Sequence, residues 1–567
     1  MTKANIQKHF VTVKNRRVHY LRCGTGPVLV LLHASACSAK VMRDHIAYFG
    51  QKFTVIATDT PGFGLSDLLP IEMVTTEDLA DALADTLDAL GIEQVAVYGR
   101  HTGAQIAVEF AARYPNRCAM ALSDGFPIYT LQERERRLST YLPPIVPSFD
   151  GSHLLWLWFR YREQHVFWPW NAQDAAHRAD TDVPDVHFLH RGVVEMLEAG
   201  DGYRIGYATA YRHRGVDACA DLKVPVCFAG RPGDSQGHTP QMMPEGSWTH
   251  MLPRNKHASM PVELEILLRH VPQGVAPIAP LCSDIPGRTT TQYIDIEGSQ
   301  VLVRSMGNIQ QHPPLVLLHH APGSSAILDS MMCAVGQHHA VLAFDLPGHG
   351  ESNPMDAEMQ DVVHWARVSV KILAALGVDA FHLYGHNTGA MVAVELANVV
   401  PTRVKSLVLD GPLCLTPDQR TQWTPKWLEG VDPLAPTWDG THLLRIWHMR
   451  RDMGLWWPWF EKTHAHQKTG ALHMDPQAVH LEVREMVKQM SSFVPAWRAA
   501  LAYPMDEALA KTHQACLMMC TDKDLFQPCF EQALTARSDA KAIRLTDDEN
   551  SKAKAILEFI QTQSAAH

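Results

Sequence analysis

The chain has 567 residues, more than a single hydrophobic core usually holds, so several domains are expected. Hydrophobic residues make up 46% and charged residues 19%, which excludes a disordered chain, and the net charge of −10 argues against a nucleic-acid partner. Met1–Lys8 carries charge but no apolar stretch, and no apolar run approaches the roughly 18–20 residues of a membrane helix, so a cytoplasmic protein with no membrane partner is expected.

In the first half, apolar runs alternate with helical patterns. Strands are predicted at Val28–Leu32, Phe53–Ala57, Gln94–Tyr98, Ala119–Ser123 and Val224–Ala229. Between the second and third, Leu79, Leu83, Leu87 and Leu90 recur at helical spacing. That stretch opens at Thr75 with Asp78 three residues on, and it stops at Gly91. Continuous apolar strands alternating with helices imply a mostly parallel sheet covered on both faces, an α/β fold. The Gln94–Tyr98 strand runs into Gly99-Arg100-His101-Thr102-Gly103 and then a helix from Thr102 to Tyr114. A Gly-x-Nuc-x-Gly turn between strand and helix holds its middle residue strained and exposed above the sheet, and a Cβ at either glycine would strike the strand or helix beside it. The middle residue is usually Ser, Asp or Cys; here it is His101. Residues 127 to about 215 break the alternation and carry Trp156, Trp158, Phe159, Tyr161, Phe167, Trp168 and Trp170. An insertion after the Ala119–Ser123 strand lies over the carboxyl edge of the sheet, where open α/β folds bind ligands, so it reads as a helical cap.

The pattern then repeats. His33, Asp59, Gly99 and Asp124 return as His319, Asp345, Gly385 and Asp410, each 286 residues later. Asp150-Gly151-x-His153-Leu154-Leu155 and Trp168-Pro169-Trp170 return 289 residues later, at Asp439–Leu444 and Trp457–Trp459. A period this long means two whole domains. The expected division is residues 1–272, a linker over 273–290 rich in Pro and small residues, and 291–567 with a second cap at about 413–505. The two halves are expected to pack as an intramolecular pseudo-dimer. The second elbow reads Gly385-His386-Asn387-Thr388-Gly389. The eleven cysteines form no dense framework, and Cys516 and Cys520 read as buried strand residues.

Each half resembles the α/β-hydrolase superfamily, in particular its capped branch of haloalkane dehalogenases, epoxide hydrolases and carbon–carbon bond hydrolases. The residues that carry the resemblance are Leu31-Leu32-His33-Ala34, Asp59-Thr60-Pro61-Gly62-Phe63-Gly64-Leu65-Ser66 and the elbow in the first half. In the second they are Leu318-His319-His320, Asp345-Leu346-Pro347-Gly348-His349-Gly350-Glu351-Ser352 and the elbow. The resemblance implies a small-molecule substrate, with the backbone N–H groups of Ala34 and Thr102 as oxyanion donors. It implies an acid at Asp234 or, in some members, Asp124, and a histidine at His257, before the last helix. In the second half Asp524 keeps the acid, Asn387 is a poor nucleophile, His320 stands beside the loop histidine, and Leu545–Asn550 holds no histidine where His257 should recur.

Three readings stay open for the first half. His101 forms an acyl-imidazole, or His257 with its acid activates water while His101 donates a hydrogen bond, or the histidine pair abstracts a proton in lyase or decarboxylase chemistry. A catalytically silent ligand-binding protein is the rival from another class. Ser35 and Cys37 are further nucleophile candidates. Trp158, Trp168 and Arg162 of the cap are candidates for an apolar pocket with one carboxylate-binding group. No cofactor and no metal are expected. The expected activity is hydrolysis of a small, largely apolar ester, lactone or related carbonyl compound in the first half, with a degenerate second half.

Overall fold

The computed structural model describes residues 5–469, 474–546 and 549–564. It divides into two compact units. The first comprises residues up to Val146 and Trp156–Ser283; the second comprises Pro147–Leu155 and the chain from Asp284 onward.

The first unit holds eight strands: β1 (Gln7–Val13), β2 (Arg16–Cys23), β3 (Val28–Leu32), β4 (Thr54–Thr58), β5 (Val95–Arg100), β6 (Cys118–Asp124), β7 (Val226–Gly230) and β8 (Trp248–Met251). Their order across the sheet is β1-β2-β4-β3-β5-β6-β7-β8. The β1–β2 and β2–β4 pairs are antiparallel, and every pair from β4 to β8 is parallel. The hairpin β1–β2 carried no apolar run long enough to be predicted. Its turn residues Lys14 and Asn15 take positive φ, 47° and 62°, the geometry of a tight two-residue hairpin.

Strand β3 explains the two-sided burial. Val28, Val30 and Leu32 face one way, against Leu79, Leu83 and Leu87 of the helix Thr76–Ala89 and Val108 and Phe110 of the helix Thr102–Arg113. Leu29 and Leu31 face the other way, against Met42, Ile46 and Phe49, and Ile266 and Leu267 of the helix Lys256–Leu267. The predicted helix start is realised as a reciprocal cap. The Thr75 hydroxyl accepts from the Asp78 N–H at 3.1 Å, and the Asp78 carboxylate accepts from the Thr75 N–H at 2.9 Å.

The chain crosses from one side of β3 to the other between β4 and β5, so the carboxyl ends of β3 and β5 flank a crevice. The elbow stands there. A Cβ on Gly99 would lie 2.0 Å from the Gly103 carbonyl oxygen, and one on Gly103 would lie 2.3 Å from that of Leu32, so the helix can sit this close to β3 only with glycine at both places. The insertion between β6 and β7 contributes the helices Leu131–Thr140, Ser152–Glu163, Val186–Ala199 and Gly202–Arg212.

The second unit repeats the plan with β9 (Thr290–Ile296), β10 (Ser299–Met306), β11 (Leu315–Leu318), β12 (Val341–Phe344), β13 (Phe381–His386), β14 (Val404–Asp410), β15 (Ala515–Thr521) and β16 (Lys541–Leu545). The sheet order is β16-β15-β14-β13-β11-β12-β10-β9, the same sequence of neighbours as in the first. Cys516 and Cys520 lie buried in β15. Two tandem, mostly parallel α/β sheets covered by helices are therefore the architecture. Among the described residues no helix is long and apolar enough to cross a membrane.

The second unit encloses several imidazoles. Burial holds His320 and His349 down to about 3 and His382 to about 4. An unfolded histidine takes its proton near pH 6.5, whereas these take theirs only well below it. Each therefore contributes stability that is complete above pH 6.5 and is lost as pH falls towards 4, at up to about 1.4 kcal/mol per pH unit per group. Chemical denaturation of the second unit is expected to show stability falling steeply between pH 6.5 and 4.5. His349→Leu, at a ring packed 5.2 Å from Trp365, should make that slope shallower. A stability unchanged over this range would contradict the assignment.

Candidate active site

Strand β5 is apolar and buried up to Arg100, and the elbow residue follows with φ 49° and ψ −112°. That conformation is strained for a residue with a Cβ, and it is kept by backbone bonds on both sides. The His101 N–H donates to the Asp124 carbonyl at 3.1 Å, and the His101 carbonyl accepts from the Ala104 N–H at 2.9 Å.

The His101 ring meets the carboxylate of Asp234, which stands in the turn after β7. Nε2 of His101 is 2.8 Å from Oδ1 of Asp234. Oδ1 also accepts from the Gln236 backbone N–H at 2.8 Å, and Oδ2 accepts from Arg100 Nη2 at 2.9 Å. Burial pushes the Asp234 carboxyl up, but the charge and hydrogen bond of His101 and the charge of Arg100 outweigh it and hold the group well below the usual carboxylate range. An ionised carboxylate only accepts hydrogen bonds. Nε2 therefore carries a proton and donates it to Asp234, and among the described residues no hydrogen-bond partner meets Nδ1. The imidazole side chain is 30% exposed.

Arg100 links this pair to a deeper run of charges. Its Nε lies 3.3 Å from Oδ2 of Asp124. The same oxygen accepts from Tyr98 Oη at 2.9 Å and from Arg231 Nη2. Arg231 in turn donates to Glu263 at 2.9 Å and to Ser259 Oγ at 3.2 Å. Asp234, Arg100, Asp124, Arg231 and Glu263 thus alternate in sign from the elbow to the helix Lys256–Leu267. Asp124, the alternative acid, is fully enclosed in that run and pairs with guanidinium groups rather than with an imidazole.

The open side of His101 faces a cavity of about 640 Å³. Ala34, Ser35, Arg100, Thr102 and Asp234 form its floor with His101. Trp168, Phe188, Tyr161, Tyr207 and Tyr211 of the cap close it. Thr102 opens a helix, and the first backbone N–H groups of a helix have no carbonyl partner within it, so amide donors stand beside the imidazole. Ser35 Oγ accepts from Thr102 Oγ1 at 3.0 Å, and burial pushes the Cys37 thiol up to about 12, so neither is an activated nucleophile.

The structure corrects three expectations. His257 does not meet His101: Asn255 caps the helix that begins at Lys256, its side chain accepting from the His257 N–H at 2.9 Å. In that first turn His257 is exposed, while Lys256 lines the cavity. Trp158 is wholly buried inside the cap and does not line the cavity. Arg162 stacks over Phe159 at 5.5 Å, also off the cavity wall. Arg100 was overlooked. Its signal was a charged residue at the end of an otherwise buried apolar strand, next to the elbow.

The second unit assembles the same positions from different chemistry. Asn387 takes φ 52°, and a Cβ on Gly411 would lie 2.8 Å from its Oδ1 and 3.2 Å from Cγ of Asp524, so both flank one point. His386 replaces Arg100, and its ring lies 5.8 Å from that of His320, which is buried and makes no hydrogen bond on either nitrogen among the described residues. Asp410 pairs with Tyr384 at 2.6 Å and Lys552 at 2.9 Å. Asp524 feels the charges of Lys552 and His386, but these are outweighed. Burial and the charge of Asp410 push it above the usual carboxylate range, opposite to Asp234. Of the stretch where a histidine was sought, Asp547 and Asp548 lie outside the described residues.

Arg231 joins two buried carboxylates, so its removal leaves Asp124 with Arg100 and Tyr98, and Glu263 with the His45 ring at 3.4 Å in place of a guanidinium. Arg231→Met is expected to lower the stability of the first unit by about 3–5 kcal/mol, read from its denaturation midpoint. A change below about 1 kcal/mol would show that the run of charges does not act as described.

The family model described as the alpha/beta hydrolase fold matches residues 27–178 and 313–444, together half of the chain. A proline iminopeptidase of Heyndrickxia coagulans is 29% identical over 128 residues, 22% of this chain and 44% of the relative, so the chain spans less than half the length of that protein. Among solved structures, the enol-lactonase of Burkholderia xenovorans LB400 is similar with a TM-score of 0.37 and 16% identity, over 48% of this chain and 99% of its own. The epoxide hydrolase VrEH1 of Vigna radiata is similar with a TM-score of 0.38 and 16% identity, over 49% and 100%. The chain belongs to the α/β-hydrolase fold family, and it carries that fold twice.

Proposed function

We propose that the first unit is a hydrolase for a small, largely apolar ester or lactone, with the His101–Asp234 pair as general base for water. The supporting observation is the 2.8 Å contact between His101 Nε2 and Asp234 at the floor of an aromatic-walled cavity. Nδ1 takes a proton from a water molecule as the water oxygen bonds to the substrate carbonyl carbon. The carbonyl oxygen becomes an oxyanion beside the N–H groups of the turn after His101. Collapse of that adduct breaks the carbon–oxygen bond to the alcohol, whose oxygen takes the proton back from His101. Asp234 stays ionised throughout and stabilises the imidazolium. In the second unit an amide at the elbow has no basic lone pair to offer, and we assign that unit no turnover.

A direct proton transfer of this kind contributes about 10²–10⁴-fold to a rate. Against a panel of aryl esters and lactones, His101→Ala and Asp234→Asn are each expected to lose at least about 100-fold in kcat, with KM little changed. His257→Ala should stay within about twofold of the parent, and intact-mass measurement during turnover should find no acyl adduct. An adduct on His101 would make the imidazole a nucleophile instead. A parent chain that turns over none of the panel, or a His257→Ala chain that loses activity, would contradict the proposal.

A further inference from the structure

The two caps differ in a way the shared fold does not require. In the first, Arg137 of the helix Leu131–Thr140 is 7% exposed and lies between aromatic rings, its guanidinium carbon 4.8 Å from the Tyr129 ring centre and 4.8 Å from that of Trp168. Among the described residues its enclosed Nε and Nη1 make no hydrogen bond, and the carboxylate whose charge it feels, Glu133 one turn earlier on the same helix, forms no ion pair with it. In the second cap the corresponding residue is Trp423, whose ring packs 5.7 Å from Trp457, the counterpart of Trp168. The neighbours change with it: Leu415 stands for Tyr129 and Leu501 for Tyr211. A neutral indole therefore fills this place in the same fold, so packing alone does not call for a cation. Enclosing a guanidinium without a hydrogen-bonded counter-charge is costly, and stacking on aromatic rings offsets only part of that cost.

Arg137 lines a second cavity of about 230 Å³, which also takes in Arg136, His177, His238 and Asn171. One carboxylate faces it, that of Glu133, and its Oε2 is already occupied by the Thr130 N–H and hydroxyl at 2.8 Å each. Tyr129, Trp168, His177, Ser235 and Gln236 line both cavities, so the small one adjoins the large one across these side chains. The connection to the reacting groups is short. Gln236 Nε2 donates to Tyr129 Oη at 3.4 Å, and the Gln236 backbone N–H bonds Asp234.

We infer that Arg137 is the anion-binding residue of the first unit, and that its substrate carries a carboxylate seated in the small cavity while the carbonyl to be hydrolysed lies over His101. This rests on the hydrolytic reading of the large cavity. A guanidinium held between aromatic rings offers a carboxylate the N–H group that reaches the cavity, and those rings accept the flat body that bears it. The ligand class is an aromatic or alicyclic monocarboxylate with an ester or lactone group.

The test separates binding from turnover. Calorimetric binding of benzoate and of its neutral isostere benzamide is measured on the full chain at matched ionic strength. Benzoate is expected to bind the parent at least about tenfold more tightly than benzamide. His101→Ala should keep that preference, and Arg137→Met should abolish it. Should Arg137→Met fail to fold, Arg137→Trp, with the side chain that occupies this place in the second cap, takes its part with the same expectation. Equal binding of benzoate and benzamide by the parent, or a preference that survives loss of Arg137, would overturn the inference. Benzoate preference without ester hydrolysis would refute the hydrolytic reading and leave the anion site standing. Hydrolysis without the preference would do the reverse.

Discussion

The first unit depends on how a run of alternating charges is kept inside a parallel sheet. Asp124 and Glu263 are almost wholly enclosed, and each carboxylate would be costly alone. Arg231 bridges them from below, and Arg100 bridges Asp124 to Asp234 at the cavity. The outermost carboxylate is thereby fixed in position and in charge. A ring at the elbow then finds a permanent anion 2.8 Å from Nε2, and that contact decides which nitrogen keeps the proton. The strained elbow backbone, the two glycines and the cap aromatics all serve to present that one ring to a cavity.

The second unit shows what happens when the charges are exchanged and the scaffold is kept. Both elbows pack helix against strand through glycines with no room for a Cβ, and both place their middle residue at φ near 50°. With His386 and Asn387 in place of Arg100 and His101, the turn aspartate has the charges of Lys552 and His386 set against burial and Asp410. Asp524 is then pushed up where Asp234 is pulled down. Position in the fold is thus not enough to set a carboxylate's charge; its neighbours set it. The same lesson applies to the caps, where one copy buries a guanidinium among tyrosines and the other closes with Trp423, Trp427 and Trp497.

Much of the fold was legible because its signals are local. The predicted strand at Val28–Leu32 coincides with β3, and Thr75 and Asp78 cap a helix as their spacing suggested. The elbow could be read because its two glycines have a steric reason that does not depend on the residue between them. The partner of His101 was less legible. Sequence order places Asp234 and His257 each after a strand, but Asn255 starts the last helix early enough to turn His257 outward, and chain order does not encode that rotation. Arg100 and Arg137 lie in stretches with no periodic meaning, and what marks them is the absence or presence of a counter-charge in three dimensions.

The central claim is that Nε2 of His101 donates its proton to Asp234 and leaves Nδ1 free towards the cavity. Side-chain nitrogen NMR of the full chain, with His101 assigned by comparison with His101→Ala and recorded at alkaline pH where the ring is neutral, reads this directly. The account predicts a single Nε2–H tautomer for His101 whose signal moves on Asp234→Asn. A proton on Nδ1, or a His101 signal indifferent to Asp234, would contradict it.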